Sequence, residues 1–120
     1  MERKLCNLPI CGHGVDVILT DDPIILGEDE EEEILSFGKY SVDQCRIWLD
    51  VKQSPSMMRS NLFHEMYEFV LGYYNATYQP DEGHSTFMKF SNILWEVFKN
   101  NNDILFGDKL VSLLGDSKCQ

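Results

Sequence analysis

The feature that most constrains this chain is a helical segment, residues 54–72, that is apolar around most of its circumference. Ser54 followed by Pro55 is typical of a helix start, and Gly72 is typical of a helix end. At about 100° per residue, apolar side chains cover all but one narrow sector of the helix. They are Met58, Leu62, Phe63, Met66, Tyr67, Phe69, Val70 and Tyr73. A helix with so little polar surface is predicted to be buried.

The remaining narrow sector of this helix is polar. It holds Asn61, His64, Glu65, Glu68 and Gly72. Because burying an unpaired charge costs several kcal/mol or more, two carboxylates and an imidazole on a buried helix need a reason. One explanation is a stripe that faces solvent, and the other is a metal site in a cleft. Gly72 has no side chain, which leaves room there for a substrate or another backbone.

A third candidate ligand follows across the next loop. His64 and Glu68 lie one turn apart on one side of the helix, and His84 stands at the start of the next helix. Two imidazoles and one carboxylate form a typical catalytic zinc set that leaves a fourth position open. Glu65 then has the natural role of general base. The predicted metal ligands are therefore His64, Glu68 and His84, with Glu65 catalytic.

Strands and further helices surround this segment in the prediction. Strands are predicted at residues 15–19, 34–40 and 44–51, the last two as a hairpin, with 44–51 at an edge that could receive an extended peptide. Residues 74–83 read as a loop, 85–100 as a second long helix broken by the asparagines at 100–102, and 105–114 as a short last helix. The predicted fold class is α+β, with a small antiparallel sheet of about three strands against two long helices and a short C-terminal helix.

The predicted core lies between the two long helices and the sheet. Its members are apolar residues of both helices and of the third strand: Phe63, Met66, Phe69, Val70, Phe87, Phe90, Leu94, Val97, Ile47 and Leu49.

Length, composition and charge limit the number of domains and the class of partner. The 120 residues, 43% of them hydrophobic, suffice for a single domain spanning 1–120. A formal net charge of -10 argues against direct nucleic-acid or membrane binding, although a basic protein remains a possible partner.

We expect a cytoplasmic protein without a signal peptide, in which Cys6 and Cys11 are reduced and structural or incidental, although His13 follows them closely. The acidic run at residues 28–33 reads as an exposed loop or as a docking patch for a basic partner. The sequence does not indicate an oligomeric state.

The order of these elements resembles a known family. The sequence Phe37-Gly38-Lys39-Tyr40 precedes Arg46-Ile47-Trp48-Leu49-Asp50, and Ser60-Asn61-Leu62-Phe63-His64-Glu65-Met66-Tyr67-Glu68 occupies the helix that follows. Asp81-Glu82-Gly83-His84 then opens the next helix. From residue 8 to about residue 106, the chain resembles the small phage and prophage metallopeptidase-like proteins allied to the ImmA/IrrE group.

The resemblance implies a minimal zincin-like fold and a zinc metallopeptidase-like protein that hydrolyses or binds a peptide or protein substrate, in the host cytoplasm if phage-encoded. The family pattern is His-Glu-x-x-His with an acidic third ligand, whereas here Glu68 replaces the second histidine. The set is then either permuted to His64, Glu68 and His84 or degenerate. The alternative function is a catalytically inactive acidic interaction protein of phage origin that binds a basic host factor.

Overall fold

The computed structural model describes residues 1–26, 34–78 and 84–118. Within them the strands and helices follow in one order along the chain. They are β1 (Glu2–Ile10), β2 (His13–Thr20), β3 (Ile24–Leu26), β4 (Ile34–Ser36), β5 (Gly38–Ser41), β6 (Arg46–Asp50), α1 (Pro55–Tyr78), α2 (His84–Asn100), α3 (Asn102–Phe106) and α4 (Lys109–Lys118). The predicted α+β class is confirmed. None of the helices in these ranges has the length and apolar character needed to cross a membrane.

The main sheet has four strands in the order β1-β2-β6-β5. The β1–β2 and β5–β6 pairs are antiparallel, which confirms the predicted hairpin between β5 and β6, but β2 and β6 run parallel. The expected all-antiparallel sheet of three strands was therefore too simple. The chain between β2 and β6 is long enough to cross over, as a parallel pair requires. The predicted edge position of residues 44–51 was also wrong, because β6 lies inside the sheet and β5 is outermost.

The predicted strand at residues 34–40 divides into two strands at Phe37. The Ser36 hydroxyl donates to the Gly38 carbonyl (2.7 Å) and accepts from the Gly38 N–H (3.3 Å), which fixes a tight bend there. The first half, β4, pairs with β3 in a separate two-stranded sheet. Ile24 of β3 forms a small second core with Ile18 and Trp48 of the main sheet. The acidic run at residues 28–33 lies outside the described residues.

Helix α1 begins where the sequence predicts, because the Met57 N–H donates to the Ser54 hydroxyl (3.2 Å). Its predicted end at Gly72 was wrong, and the helix continues to Tyr78, so the predicted loop begins later than expected. Tertiary packing explains the extension. Tyr74 is buried and its ring meets Phe90 edge-on at 5.5 Å, while the neighbouring Tyr73 meets His13 in the same way. These contacts outweigh the cost of one glycine within a helix, about 1 kcal/mol.

Helix α2 ends at Asn100, as predicted, but the last helix does not run unbroken from 105 to 114. The chain forms α3 and α4 with a break at Gly107, where an added β-carbon would lie 2.8 Å from the Asp103 carbonyl oxygen. Asn101, which is 4% exposed, fixes the end of α2. Its side-chain amide donates to the carbonyls of Pro9 and Val97, both at 2.8 Å.

The core lies between α1 and the inner face of the sheet, and most of the predicted core is confirmed. Buried members are Met66, Phe69, Val70, Val97, Ile47 and Leu49, and Phe90 and Leu94 pack against them half-buried. Phe63 is 39% exposed, so its predicted burial was wrong. It sits instead on the flank of α1, where its ring stacks on Phe98 at 4.7 Å. The Phe87 side chain lies outside the described residues.

Truncating the α1 side chain at the centre of this core tests the packing. Phe69 is fully buried, so Phe69→Ala should lower the free energy of unfolding by about 3–5 kcal/mol in urea titration. Trp95→Ala is the matched control, because Trp95 is 65% exposed and its loss should change the free energy by less than about 1 kcal/mol. Similar losses in the two variants would contradict this placement of α1.

Candidate functional site

A cleft of about 460 Å³ opens between α1 and the outermost strand β5. One wall consists of the β4–β5 bend and β5: Ser36, Phe37, Gly38, Lys39 and Tyr40. The other wall is the polar face of α1: Ser60, Asn61, His64, Glu65 and Glu68. The polar sector of the helix therefore lines a cleft, and His64 and Glu68 within it also reach solvent.

His64 and Glu68 come together in this cleft. Their separation by four residues places them on one side of α1, and His64 Nε2 lies 3.2 Å from Glu68 Oε1. Both side chains reach solvent, being 63% and 40% exposed. The two atoms are thus accessible to a ligand from the cleft.

Glu65 has a different environment, although it follows His64 directly. The residue is only 5% exposed, and its side chain packs against Gly38 of β5. A β-carbon added at Gly38 would lie 3.1 Å from Glu65 Cγ and 3.2 Å from Oε2, closer than side chains normally pack. The absence of a side chain at Gly38 therefore allows the Glu65 carboxyl to lie against the strand.

Burial changes the protonation of Glu65. Desolvation, which is the largest cause, and the nearby Glu68 carboxylate together raise the pKa of Glu65 from 4.5 to about 7, while His64 opposes the shift. A carboxyl with a pKa near neutrality can both accept and return a proton at physiological pH. This is the property that a general acid–base catalyst needs.

Hydrogen bonds fix the mouth of the cleft where the strand wall and α1 meet. The Asn61 amide donates to Gln53 Oε1 (2.6 Å), and the Gln53 amide donates to the Phe37 carbonyl (3.1 Å). The same carbonyl accepts the Asp50 N–H (3.0 Å), which holds the β4–β5 bend against β6. Asn61, which belongs to the predicted polar sector, therefore links the two walls.

The three residues on α1 could hold a metal ion. His64, Glu65 and Glu68 each offer one ligand atom, and these atoms lie within 4.8 Å of one another. Ligands at about 2.0–2.2 Å from a tetrahedral ion are separated by about 3.3–3.6 Å, close to the spacing of His64 Nε2 and Glu68 Oε1. An imidazole nitrogen beside carboxylate oxygens is also a suitable donor set for a divalent ion such as zinc.

Two residues singled out in the sequence stand apart from this cluster. His84 is the first residue of α2, but its side chain lies outside the described residues, so its approach to the site stays a prediction. Gly72 does not leave room for a substrate, contrary to expectation. A β-carbon there would lie 3.3 Å from Val42 Cγ2 and 3.4 Å from Tyr40 Cε2, so the space is filled by side chains from β5 and the turn after it.

The strand wall is the part of the site that the sequence analysis missed. Gly38, Lys39 and Tyr40 belong to a segment that was interpreted only as a strand. The Lys39 ammonium lies 4.6 Å from the centroid of the Trp48 ring. The alternation of polar and apolar residues identifies a strand but does not say which helix faces it. The one available signal was Gly38, because glycine within a strand often marks a close approach of another group.

Among the described residues, Cys6, Cys11 and His13 are not gathered into a group that could hold a metal ion. Cys6 and Cys11 pack half-buried against the main core, and burial raises the pKa of the Cys6 thiol to about 11 and that of Cys11 above its usual value. Raised thiol pKa values disfavour the thiolate that a metal needs. His13 instead contacts the Tyr73 ring.

No protein-family model, curated protein or solved structure matches this chain.

The pKa of Glu65 predicts a pH-dependent stability. Between about pH 4.5 and 7 the folded protein binds more protons at Glu65 than the unfolded chain, so the wild type loses stability as pH rises through this window. Glu65→Gln removes the ionisable group and therefore also removes this loss of stability with rising pH. In EDTA, its free energy of unfolding should match the wild type near pH 4.5 and exceed it by up to about 3 kcal/mol above pH 7.

Glu96→Gln is the control for this measurement, because the Glu96 side chain is 61% exposed and pairs only weakly with Lys99 (3.7 Å). This substitution should change stability by a few tenths of a kcal/mol with little pH dependence. A stability difference between Glu65→Gln and wild type that is constant across pH would contradict the buried carboxyl.

Proposed function

We propose that this protein is a zinc-dependent peptidase related to the phage-type metallopeptidases that its sequence resembles. The observation that supports this is the convergence of His64, Glu65 and Glu68 on a cleft beside the outermost strand of the sheet. An imidazole and a carboxylate that reach solvent stand next to a carboxyl group that does not. This difference in exposure suits His64 and Glu68 to binding a metal and Glu65 to transferring a proton, all within about one turn of helix.

His64 Nε2 and Glu68 Oε1 are the proposed zinc ligands from α1, with His84 as the third. Bound there, zinc would polarise the peptide carbonyl and favour ionisation of the attacking water. The ligand set has the same composition as the His, His and Glu set of the family, with the positions of one histidine and the glutamate exchanged. Glu68 weakens the preference for zinc relative to a second imidazole, because carboxylates are harder ligands.

Glu65 is the proposed general base. Its carboxylate takes a proton from water as the oxygen forms a bond to the carbonyl carbon, and it then gives that proton to the departing amide nitrogen as the C–N bond breaks. The products are one carboxyl and one amine, and Glu65 returns to its starting form. Its position against Gly38 keeps the carboxyl at the edge of the cleft, beside the strand.

The outermost strand β5 is the proposed platform for the peptide. Its residues Lys39 and Tyr40 line the cleft, and the strand pairs with β6 along one side. The backbone groups of Gly38 bond the Ser36 hydroxyl, so the part of β5 beyond Gly38 is the proposed edge that an extended peptide matches by adding a strand. This replaces residues 44–51 as the expected substrate strand.

Metal content tests the ligand assignment. After incubation with ZnCl₂ and gel filtration, elemental analysis should find about one zinc ion per wild-type chain and almost none in His64→Ala. His13→Ala is the matched histidine control, because His13 contacts Tyr73 rather than the cleft, and it should keep its zinc. Glu65→Gln should also keep zinc but lose hydrolysis of fluorescein-labelled casein, since an amide cannot accept the proton.

Two results would contradict the proposal. If the wild type binds no zinc at micromolar concentration, the chain is better explained as an acidic interaction protein that binds a basic partner, for which its net charge of -10 is suited. If Glu65→Gln loses zinc together with His64→Ala, Glu65 is a ligand and the assignment of the base is wrong.

A further inference from the structure

A second cavity of about 360 Å³ lies beside the cleft, between α1 and α3. Its walls are formed by Ser56, Arg59, Ser60, Phe63, Leu105 and Phe106. Ser60 also lines the cleft, so the two cavities adjoin at this residue. No pattern in the sequence predicts this cavity.

The spacing along α1 explains why the cavities adjoin. Ser56, Ser60, His64 and Glu68 are four residues apart, so they form one row along the helix. Successive members of this row are separated by about one turn, roughly 5–6 Å. Neighbouring residues of an extended peptide are about 3.3–3.5 Å apart. A peptide bound across His64 can therefore place a side chain next to its reacting bond in the second cavity.

Aromatic rings form the apolar walls of this cavity. Phe63 is 39% exposed, and its stacking on Phe98 holds the ring in place. Phe106 is 67% exposed at the end of α3. Water solvates exposed phenyl rings poorly. A pair of them around one cavity is suited to binding a third ring, because a contact between two aromatic rings contributes about 0.5–1.5 kcal/mol beyond the burial of their area.

The cavity is also fixed in shape. Arg59 Nη2 donates to the Gly107 carbonyl across 48 residues of sequence (2.9 Å), which joins α1 to the end of α3. Leu105 and Ile104 bury their side chains in the core and fix the rest of α3. A preformed cavity binds its ligand without the cost of ordering its walls.

One cationic group lies in this wall. The Arg59 guanidinium lines the cavity, and its Nε is buried without a hydrogen-bond partner among the described residues. Guanidinium groups interact favourably with aromatic faces and with hydroxyl oxygens. Ser56 and Ser60 add two hydroxyls to the same wall. The wall therefore combines apolar rings with donors for one polar atom.

We infer that this cavity is a specificity pocket for an aromatic side chain, tyrosine above all, of a peptide bound in the cleft. A phenol fits both parts of the wall, since its ring meets Phe63 and Phe106 and its hydroxyl meets the Arg59 and serine donors. The role of this pocket in binding a substrate rests on the proposed peptidase function. Binding of the side chain itself does not require the metal.

The first test therefore measures binding in EDTA. N-acetyl-L-tyrosinamide is titrated into ¹⁵N-labelled protein, and N-acetyl-L-alaninamide serves as the comparison ligand. Tyrosinamide should shift amide signals of residues around Ser60, Phe63 and Phe106, with at least tenfold tighter binding than alaninamide. Phe63→Ala and Phe106→Ala should abolish this preference. Trp95→Ala removes an exposed aromatic residue elsewhere, on α2, and should keep the preference.

The second test uses the zinc-loaded protein. Peptides that differ only in tyrosine or alanine beside the cleaved bond should differ at least tenfold in kcat/KM, and Phe106→Ala should remove this difference, whereas Trp95→Ala should keep it. Equal binding of tyrosinamide and alaninamide, or shifts confined to other surfaces, would overturn the pocket even if zinc binds. Tyrosinamide binding by a protein that takes up no zinc would instead support the pocket and contradict the peptidase.

Discussion

The burial of α1 against the inner face of the sheet determines where the candidate site residues of this helix lie. Met58, Leu62, Met66 and Phe69 are fully buried and follow one another at intervals of three or four residues. This spacing fixes the rotation of the helix about its axis, because these side chains must all face the sheet. Fixing that rotation places the row of Ser60, His64 and Glu68 along the flank. The sheet ends at β5, so this flank stays open as a cleft.

Glu65 lies at the boundary between these two regions. It is one residue from the flank row, so the same rotation turns it partly under β5, where Gly38 makes room for its carboxyl. Its raised pKa is a direct consequence of this position, because the strand excludes water from one side of the group. His64 and Glu68 line the same cleft, but their side chains reach solvent. One helix turn thus supplies accessible and desolvated groups without any loop or hinge.

The sequence predicted α1 and its polar sector because both are local. Ser54 caps the helix through its own hydroxyl, and the positions of His64, Glu65 and Glu68 follow from helical periodicity alone. The errors arose where distant contacts decide. The strand β1 was not predicted. It contains Pro9 and a register shift between Lys4 and Cys6, and both disturb the alternation that identifies strands. The continuation of α1 beyond Gly72 depends on Tyr73 and Tyr74 meeting rings from β2 and α2.

The parallel pairing of β2 and β6 is another such case, since neither strand contains a signal for the direction of its neighbour. The same limit applies to the cleft, which needs β5 on one side and α1 on the other. Local patterns could identify the polar sector, but only the sheet order puts Gly38 opposite Glu65. The candidate ligands were therefore predictable in part, whereas the strand wall and the second cavity were not.

The desolvation penalty of the buried Glu65 carboxyl helps to distinguish the proposed enzyme from a protein that only binds a partner. A protein that used this face only to bind a partner would gain nothing from a desolvated carboxyl next to an imidazole. An apolar side chain at this position would pack under β5 without any desolvation penalty and would make the domain more stable. Local rules of stability are broken mainly where a site needs the unfavourable group. Glu65 is an unfavourable group of this kind, and it lies next to two accessible side chains that could hold a metal ion, which supports the proposed proton transfer over a passive acidic surface.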